Sequence, residues 1–230
     1  VPLEVPANAE IVIEGLVDPV ERFIEGPFGD HTGFYSLSAP YPVLRVTAIT
    51  HRRNPIYPAT IVGKPPMEDY YLGKATERIF LPLLQMLIPD IIDYDLPMFG
   101  AFHNFVVVKI RKEYPYQARR VMHAIWGAGQ MAFSKFVLVV DEHVDVHNEQ
   151  EVLFQMCANV DARRDICIVD GPLDILDHAA PFTGTGSKMG IDATKKLPGE
   201  GEIRRWPQEL VMAPEIVEKV RRRWKEYGID

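Results

Sequence analysis

The spacing of hydrophobic residues changes along the chain and divides it into stretches with different predicted structures. From Ala9 to about Ile61, short apolar runs such as Ile11-Val12-Ile13 and Val43–Thr50 are separated by Gly, Pro and Asn, which predicts short strands in a small β-sheet or barrel. A break follows at Gly63-Lys64-Pro65-Pro66. Beyond it, apolar residues recur at helical spacing and predict a connecting helix over about 68–87.

Strands and helices alternate from Phe102 onward. The apolar runs predict three strands and two helices, in the order βαβαβ: Phe105–Ile110, Tyr116–Gln130, Phe136–Val140, Glu149–Asn159 and Asp165–Val169. Such an order with short connections is typical of a doubly wound α/β domain, in which helices cover both faces of the sheet. The Gly-rich stretch Gly184–Gly201 has too little periodicity to predict any element.

A final helix is predicted from Pro214 to Tyr227, because proline favours the first helical turn and apolar residues then recur at helical spacing. Its polar positions are rich in Lys and Arg. Its apolar stripe consists of Ile216, Val217, Val220 and Trp224. The stripe fits two alternatives, which are a docking surface for another subunit and packing within the same domain.

The amino-acid composition indicates which classes of binding partner and which cellular compartment to expect. The chain has 25 Lys+Arg against 32 Asp+Glu, a net charge of −7, so it lacks the basic surface that binds nucleic acid or an anionic membrane. Cys157 and Cys167 form no metal-binding pair or disulfide framework, which favours a reducing, cytoplasmic compartment. No apolar run reaches the roughly 18 residues of a membrane span. The missing initiator Met predicts a piece of a longer protein.

The densest cluster of polar residues and glycines is Glu25–Phe34. Its carboxylates, Glu25 and Asp30, are separated by a Gly-Pro-x-Gly turn that can fold them toward each other, whereas a straight strand would hold them about 16 Å apart. Close carboxylates raise each other's pKa, so a buried Asp30 could stay protonated near neutral pH and act as a general acid. The alternative interpretation is a solvated turn that joins two strands.

Three other segments suggest weaker hypotheses. His143, Asp145 and His147 would share one face of an extended segment and could bind a metal there, although acidic loops at strand ends are common. Gly184–Gly190 lacks the Gly-Lys-Ser/Thr order of a phosphate loop, which favours a structural loop. Lys135 precedes a strand and could reach an anionic ligand. The remaining isolated histidines are interpreted as packing or surface residues: His51, His103, His123 and His178.

The run Glu-Gly-Pro-Phe-Gly-Asp-His-Thr-Gly-Phe at Glu25–Phe34, with the strand-like segment Val5–Gly15 before it, resembles the UbiD family of prenylated-flavin-dependent decarboxylases. The resemblance continues along the whole chain, through Gly63–Pro66, Arg119–Met122, Ser134–Val137 with Asp141, Pro172–Asp174 and Gly186–Thr194. It implies the C-terminal half of such an enzyme. Residues 1–62 would be the later part of a flavin-binding split β-barrel, 63–100 a linker with the connecting helix, and 101–230 a three-layer α/β domain with the terminal helix.

The resemblance also implies a chemistry, which is the reversible, non-oxidative decarboxylation of an aromatic or α,β-unsaturated carboxylic acid with prenylated FMN. Asp30 would donate the proton to the carbon that loses CO2, and would act as the base in carboxylation, with Glu25 as its partner. His31 and Phe182 would face the substrate, and Lys135 would approach the cofactor phosphate. Gly186–Thr194 is most similar to members of ubiquinone or menaquinone biosynthesis.

The family's catalytic arginine and its Asn, His and Glu metal ligands belong upstream of Glu25, so no complete metal site is expected in this chain. A divalent metal, manganese, and potassium would be bound by an N-terminal half in the same polypeptide or in a companion subunit. The resemblance further implies a homo-oligomer formed through the C-terminal domain. The alternative function is that of a non-catalytic assembly subunit or fragment of such a decarboxylase.

Overall fold

The computed structural model describes residues 2–201 and 204–228. It begins with two long strands, β1 (Ile11–Glu25) and β2 (Ala39–His51), which pair antiparallel. Many of their apolar side chains are exposed, among them Leu16, Val20 and Ile24 at 69%, 84% and 73% of their accessible surface. The predicted strand pattern of this region is confirmed, and the hairpin leaves much apolar surface uncovered.

The rest of the chain forms a five-stranded mixed sheet with helices around it. In chain order the elements are α1 (Glu68–Leu87), β3 (Ile91–Asp95), β4 (Phe105–Ile110), α2 (Gln117–Trp126), β5 (Phe136–Asp141), α3 (Glu149–Asn159), β6 (Ile166–Pro172), β7 (Thr185–Asp192) and α4 (Pro214–Arg222). The strand order is β3-β4-β5-β7-β6. The central strands β4, β5 and β7 are parallel, and the edge strands β3 and β6 run antiparallel to them.

Two apolar cores lie on opposite faces of this sheet, because successive strand residues point to opposite sides. On one face Val106 and Val108 of β4 pack with Met122 of α2. On the other face Val107 of β4 packs with Val152 of α3. Central strands that are buried on both faces read as continuous apolar runs, which is why β4 and β5 could be predicted from the sequence. The three-layer α/β prediction is confirmed.

The order of the strands differs from the simple βαβαβ prediction. The third predicted strand, Asp165–Val169, corresponds to β6, which lies at the edge of the sheet and is antiparallel to its neighbour. The strand beside β5 is β7, where the sequence predicts a structural loop at Gly184–Gly190. Its glycines hide the periodicity, since a glycine occupies a position where other strands carry an apolar side chain. At Gly190 a Cβ would lie 2.5 Å from Met122 Sδ.

The substitution Gly190→Ala is therefore expected to lower the free energy of unfolding by about 1–3 kcal/mol, because the added methyl group overpacks the contact between β7 and α2. Urea-induced unfolding of the purified protein measures this change. The matched control is Gly63→Ala, whose Cβ would meet only Met67 Cε at 3.9 Å. Equal stabilities of the two variants would contradict the assignment of a packing role to Gly190.

The final helix is shorter than predicted and stands apart from the cores. α4 ends at Arg222 and is followed by a 3-10 turn over Trp224–Tyr227. No residue of α4 is buried, and Ile216 and Trp224 are exposed to 41% and 47%. The other two residues of the stripe, Val217 and Val220, are partly buried, so both alternatives for the stripe remain predictions. Among those residues, none of the helices combines the length and the apolar character needed to cross a bilayer.

Candidate functional site

A tight loop after β1 positions Asp30. The backbone N–H of Asp30 donates to the Phe34 carbonyl at 3.1 Å, and the Gly33 N–H donates to the Asp30 carbonyl at 2.9 Å. Gly33 has a φ of +84°, a left-handed conformation that favours glycine. This loop turns the Asp30 side chain inward, where the residue is only 9% exposed.

The two carboxylate oxygens of Asp30 have different surroundings. Oδ1 accepts a hydrogen bond from the His31 backbone N–H at 2.8 Å and lies 3.0 Å from His31 Nδ1. Oδ2 is buried and has no hydrogen-bond partner among the described residues. A buried polar atom without a partner in a folded protein is unusual and calls for an explanation, such as a bound group or a catalytic role. Oδ2 is therefore the oxygen available to a ligand.

Glu25 lies elsewhere. It is the last residue of β1, pairs with Ala39 of β2 and is exposed. Within the described part of the chain no hydrogen bond joins its carboxylate to Asp30. The turn that was expected to fold the two carboxylates together instead carries Asp30 inward, while Glu25 stays in the strand. Their coupling remains a prediction.

The second side of the site is formed where β4 begins. His103 is two residues upstream of β4, and its Nε2 lies 2.8 Å from His31 Nε2. The ring of Phe102 stacks on His31 with a centroid distance of 4.9 Å. Ala101 and Phe102 both have positive φ, 47° and 55°, which is uncommon for residues other than glycine. Strained backbone of this kind clusters at functional sites.

Lys135 lies at the same end of the sheet, directly before β5. Its Nζ is 2.8 Å from Asp177 Oδ2, on the loop after β6. Burial raises the pKa of Asp177, but hydrogen bonds from Lys135 and from the Ala179 backbone outweigh it and keep this pKa below its usual value. On the same loop the His178 ring packs on the Phe34 ring with a centroid distance of 4.0 Å, and Phe182 is 71% exposed. The structure thus gathers Asp30, His31 and Lys135 at the end of the sheet where the parallel strands β4 and β5 begin.

The hypothesis of a metal site at His143, Asp145 and His147 is wrong. Residues 142–147 form turns rather than an extended strand, so the side chains do not share a face. His143 Nε2 lies 3.4 Å from Glu209. His147 points the other way, with Nδ1 2.8 Å from Asp95 and Nε2 3.2 Å from Asp93.

His147 belongs instead to an ion-pair cluster between α1 and β3. One ligand atom from each of Glu77, Asp95 and His147 lies within 4.8 Å of the others, a spacing that could hold a metal ion. The Lys74 ammonium, however, contacts the carboxylates of both Asp95 and Glu77. Because a cation already balances these two carboxylates, we assign the cluster to the attachment of α1 to the sheet.

Sequence reasoning missed His103, which it treated as one of several isolated histidines. The position of His103 relative to the predicted strands could have indicated its place in the site. His103 shortly precedes β4 and Lys135 directly precedes β5, and these strands are parallel with Phe105 opposite Phe136. The amino ends of neighbouring parallel strands meet at one end of a sheet, so residues that precede both strands are brought close together.

Two family descriptions match the chain. Residues 70–193 match the 3-octaprenyl-4-hydroxybenzoate carboxy-lyase C-terminal domain, and residues 1–65 match the Rift-related domain of the same carboxy-lyase. An uncharacterised protein of Archaeoglobus fulgidus is 54% identical over 227 residues, which make up 98% of this chain and 47% of that protein. The chain spans about half the length of the curated relatives it matches.

Solved structures with the same fold include decarboxylases. The vanillic acid decarboxylase of Sedimentibacter hydroxybenzoicus, in its closed form, matches with a TM-score of 0.87 and 30% identity over 98% of this chain and 47% of its own. The UbiD-class enzyme HmfF of Pelotomaculum thermopropionicum in complex with FMN matches with a TM-score of 0.71 and 34% identity, over 93% and 46%. An evolved dimeric form of HmfF, in complex with prFMN, matches with a TM-score of 0.67 and 30% identity, over 93% and 44%.

Proposed function

The chain belongs to the UbiD family of carboxy-lyases, and from this premise we propose that it is the acid-bearing part of a reversible, non-oxidative decarboxylase. Its substrate would be an aromatic or α,β-unsaturated carboxylic acid. The observation that carries the proposal is the buried Asp30 carboxyl group, whose Oδ2 has no partner among the described residues. Homology to decarboxylases supports the reaction class. A role in quinone biosynthesis and a cytoplasmic location are finer proposals that rest on sequence pattern alone.

Asp30 would deliver the proton to the carbon that has lost its carboxylate. Oδ1 already accepts a hydrogen bond from the backbone and lies against the His31 ring, so the transferable proton would be held on Oδ2. In the carboxylation direction the same oxygen would take the proton from the substrate carbon, because a reversible step uses one group as both acid and base. His31 and Phe182 would contact the substrate, and Glu25 would support Asp30 from the end of β1.

The residues at this end of the sheet fit prenylated FMN, the cofactor bound by the evolved HmfF. The unpartnered Oδ2 of Asp30 could form a hydrogen bond with a ligand group, and the Lys135 ammonium, with its side chain 20% exposed, could bind a phosphate in exchange for Asp177. When bound, prenylated FMN would supply an electron sink for the carbon that loses CO2. Manganese and potassium would be bound by residues outside this chain.

We further propose that an N-terminal part completes the enzyme, either in the same polypeptide or as a companion subunit. The exposed apolar side chains of β1 and β2 support this organisation, because an uncovered two-stranded hairpin is only marginally stable in water. In the proposed division, residues 1–62 belong to the split barrel, 63–100 form the linker with α1, and 101–230 form the C-terminal domain. The apolar stripe of α4 would then contribute to a homo-oligomer.

The test is to produce the complete protein in cells that make prenylated FMN and to offer it a panel of aromatic and α,β-unsaturated carboxylic acids. We expect bound cofactor by native mass spectrometry and release of CO2 from at least one acid. The control is the same protein loaded with unmodified FMN, which should release none. A cofactor-loaded protein that neither releases CO2 nor exchanges hydrogen of the corresponding decarboxylated products with D2O would support the assembly-subunit alternative.

A further inference from the structure

His103 is a partly buried titratable residue to which the proposed reaction assigns no task. Its place is set by strained backbone, since Ala101 and Phe102 before it have positive φ. Helix α1 makes room for this arrangement at Gly73, where a Cβ would lie 2.9 Å from the Phe102 side chain. The chain therefore accepts an unfavourable conformation that brings Phe102 onto the His31 ring and His103 onto its Nε2.

The hydrogen bonds among Asp30, His31 and His103 define a tautomer for each ring. If the Asp30 carboxylate accepts from His31 Nδ1–H, a neutral His31 has only a lone pair at Nε2. The His103 nitrogen 2.8 Å away must then donate, so His103 carries its proton on Nε2. The other ring nitrogen, His103 Nδ1, is buried and has no hydrogen-bond partner in the described residues. It is a basic atom, and a series of hydrogen bonds through His31 connects its ring to Asp30.

The surroundings of His103 suit a neutral ring that can accept a proton for a short time. Burial lowers the pKa of His103, and the nearby His31 lowers it further. Three carboxylates oppose these effects: Asp174 and Asp177 on the loop after β6, and Asp30 on the loop after β1. Asp177 is also paired with Lys135. The ring is thus neutral near physiological pH but lies beside carboxylates that stabilise the protonated form.

We infer that His103 is a positioning residue that resupplies protons to Asp30 through His31. A proton from water enters at His103 Nδ1, the Nε2 proton of His103 moves to His31 Nε2, and the Nδ1 proton of His31 moves to Asp30 Oδ1. A half-turn of the carboxyl group about its Cβ–Cγ bond then exchanges the two oxygens and places the proton at the Oδ2 position. One proton enters and one arrives, and no other bond is made or broken. Both rings end as the opposite tautomer, and each regains the original one when it releases one proton to water and takes up another at its other nitrogen. The inference rests on the proposed function, in which Asp30 loses a proton in each turnover.

The test compares three histidine and aspartate variants in the complete, cofactor-loaded enzyme. His103→Gln keeps a side chain that can donate a hydrogen bond to His31 but cannot take up a proton at one atom and release it from another. We expect its kcat to fall roughly 100-fold with KM changed less than about threefold, and imidazole added to the buffer to restore part of kcat. His123→Gln, at an exposed position of α2, is the matched control and should retain wild-type kcat. Asp30→Asn should be inactive with or without imidazole.

These outcomes separate the inference from the proposed function. A His103→Gln enzyme with wild-type kcat and no response to imidazole overturns the relay, while an inactive Asp30→Asn enzyme in the same experiment leaves the proposed function standing. A fully active Asp30→Asn enzyme overturns both. A readout independent of turnover is 15N NMR of the histidine-labelled complete protein, with signals assigned from the variants. Protonation of His31 at Nδ1 and of His103 at Nε2 is expected, and the opposite tautomers in both rings would contradict the relay.

Discussion

Replacing Asp30 with asparagine in the complete, cofactor-loaded enzyme is expected to lower kcat by about 10³-fold or more, since general acid catalysis contributes factors of this size. Asparagine keeps an oxygen that can accept the His31 backbone N–H, the hydrogen bond that Asp30 Oδ1 makes at 2.8 Å. It removes the ionisable group at the position of the unpartnered Oδ2. The variant should therefore fold and bind prenylated FMN as the wild type does, and lose the protonation step.

Two measurements check this expectation, the release of CO2 from the carboxylic acid and the exchange of product hydrogen in D2O. The exchange requires only the protonation step and its reverse, so its loss identifies Asp30 as the group that moves the proton. Asp18→Asn is the matched control, because Asp18 is exposed and likewise accepts backbone N–H bonds, from Val20 and Glu21. Wild-type exchange in the Asp30→Asn enzyme would exclude Asp30 as the proton donor.

The sequence allowed much of the fold to be predicted, wherever apolar side chains report burial. The bounds of α1, α3 and β4 agree with the predicted ones, because these elements carry regular apolar patterns. β7 was not predicted because it carries Gly190, where the backbone packs closely against α2, in place of an apolar residue. The edge position of β6 was not predicted for another reason, because the pattern of residues within a strand does not show which neighbouring strand it pairs with.

The site was predictable where one contiguous motif carries it. Asp30 and His31 follow from the cluster Glu25–Phe34, and the structure buries Asp30 against His31 as a candidate acid requires. His103 lies 72 residues away from His31 in sequence, and its role depends on how β4 sits in the sheet. Such a contact is decided by tertiary structure, which the local sequence around a lone histidine does not report.

A second network of charges lies at the other end of the sheet, where the parallel strands β5 and β7 end. Lys196 is fully buried, and its Nζ donates to the carbonyls of Asp192 and Thr194, both at 2.6 Å. The same ammonium lies 3.2 Å from Asp192 Oδ1 and 3.6 Å from Asp165 Oδ1. Both carboxylates are nearly inaccessible to solvent. Lys196 balances their charge together with Arg164, which pairs with Asp165, and Lys112, which pairs with Asp192. Ligands of α/β sheets commonly bind at the carboxyl ends of the strands. Here ion pairs lie at those ends, and the candidate site lies where β4 and β5 begin.

The substitution Lys196→Met is accordingly expected to lower the free energy of unfolding by about 2–4 kcal/mol, because two buried carbonyl groups lose their charged donor. Arg164 and Lys112 still balance the two carboxylates. Methionine fills a similar volume, so the loss reflects charge and hydrogen bonding rather than a cavity. Urea-induced unfolding measures the change, and Lys195→Met at the exposed neighbouring position is the matched control, with an expected change within about 0.5 kcal/mol. Because the network and Asp30 lie at opposite ends of the sheet, the folded fraction of Lys196→Met should keep wild-type kcat. Equal stabilities of the two variants would contradict the stabilising role of this network.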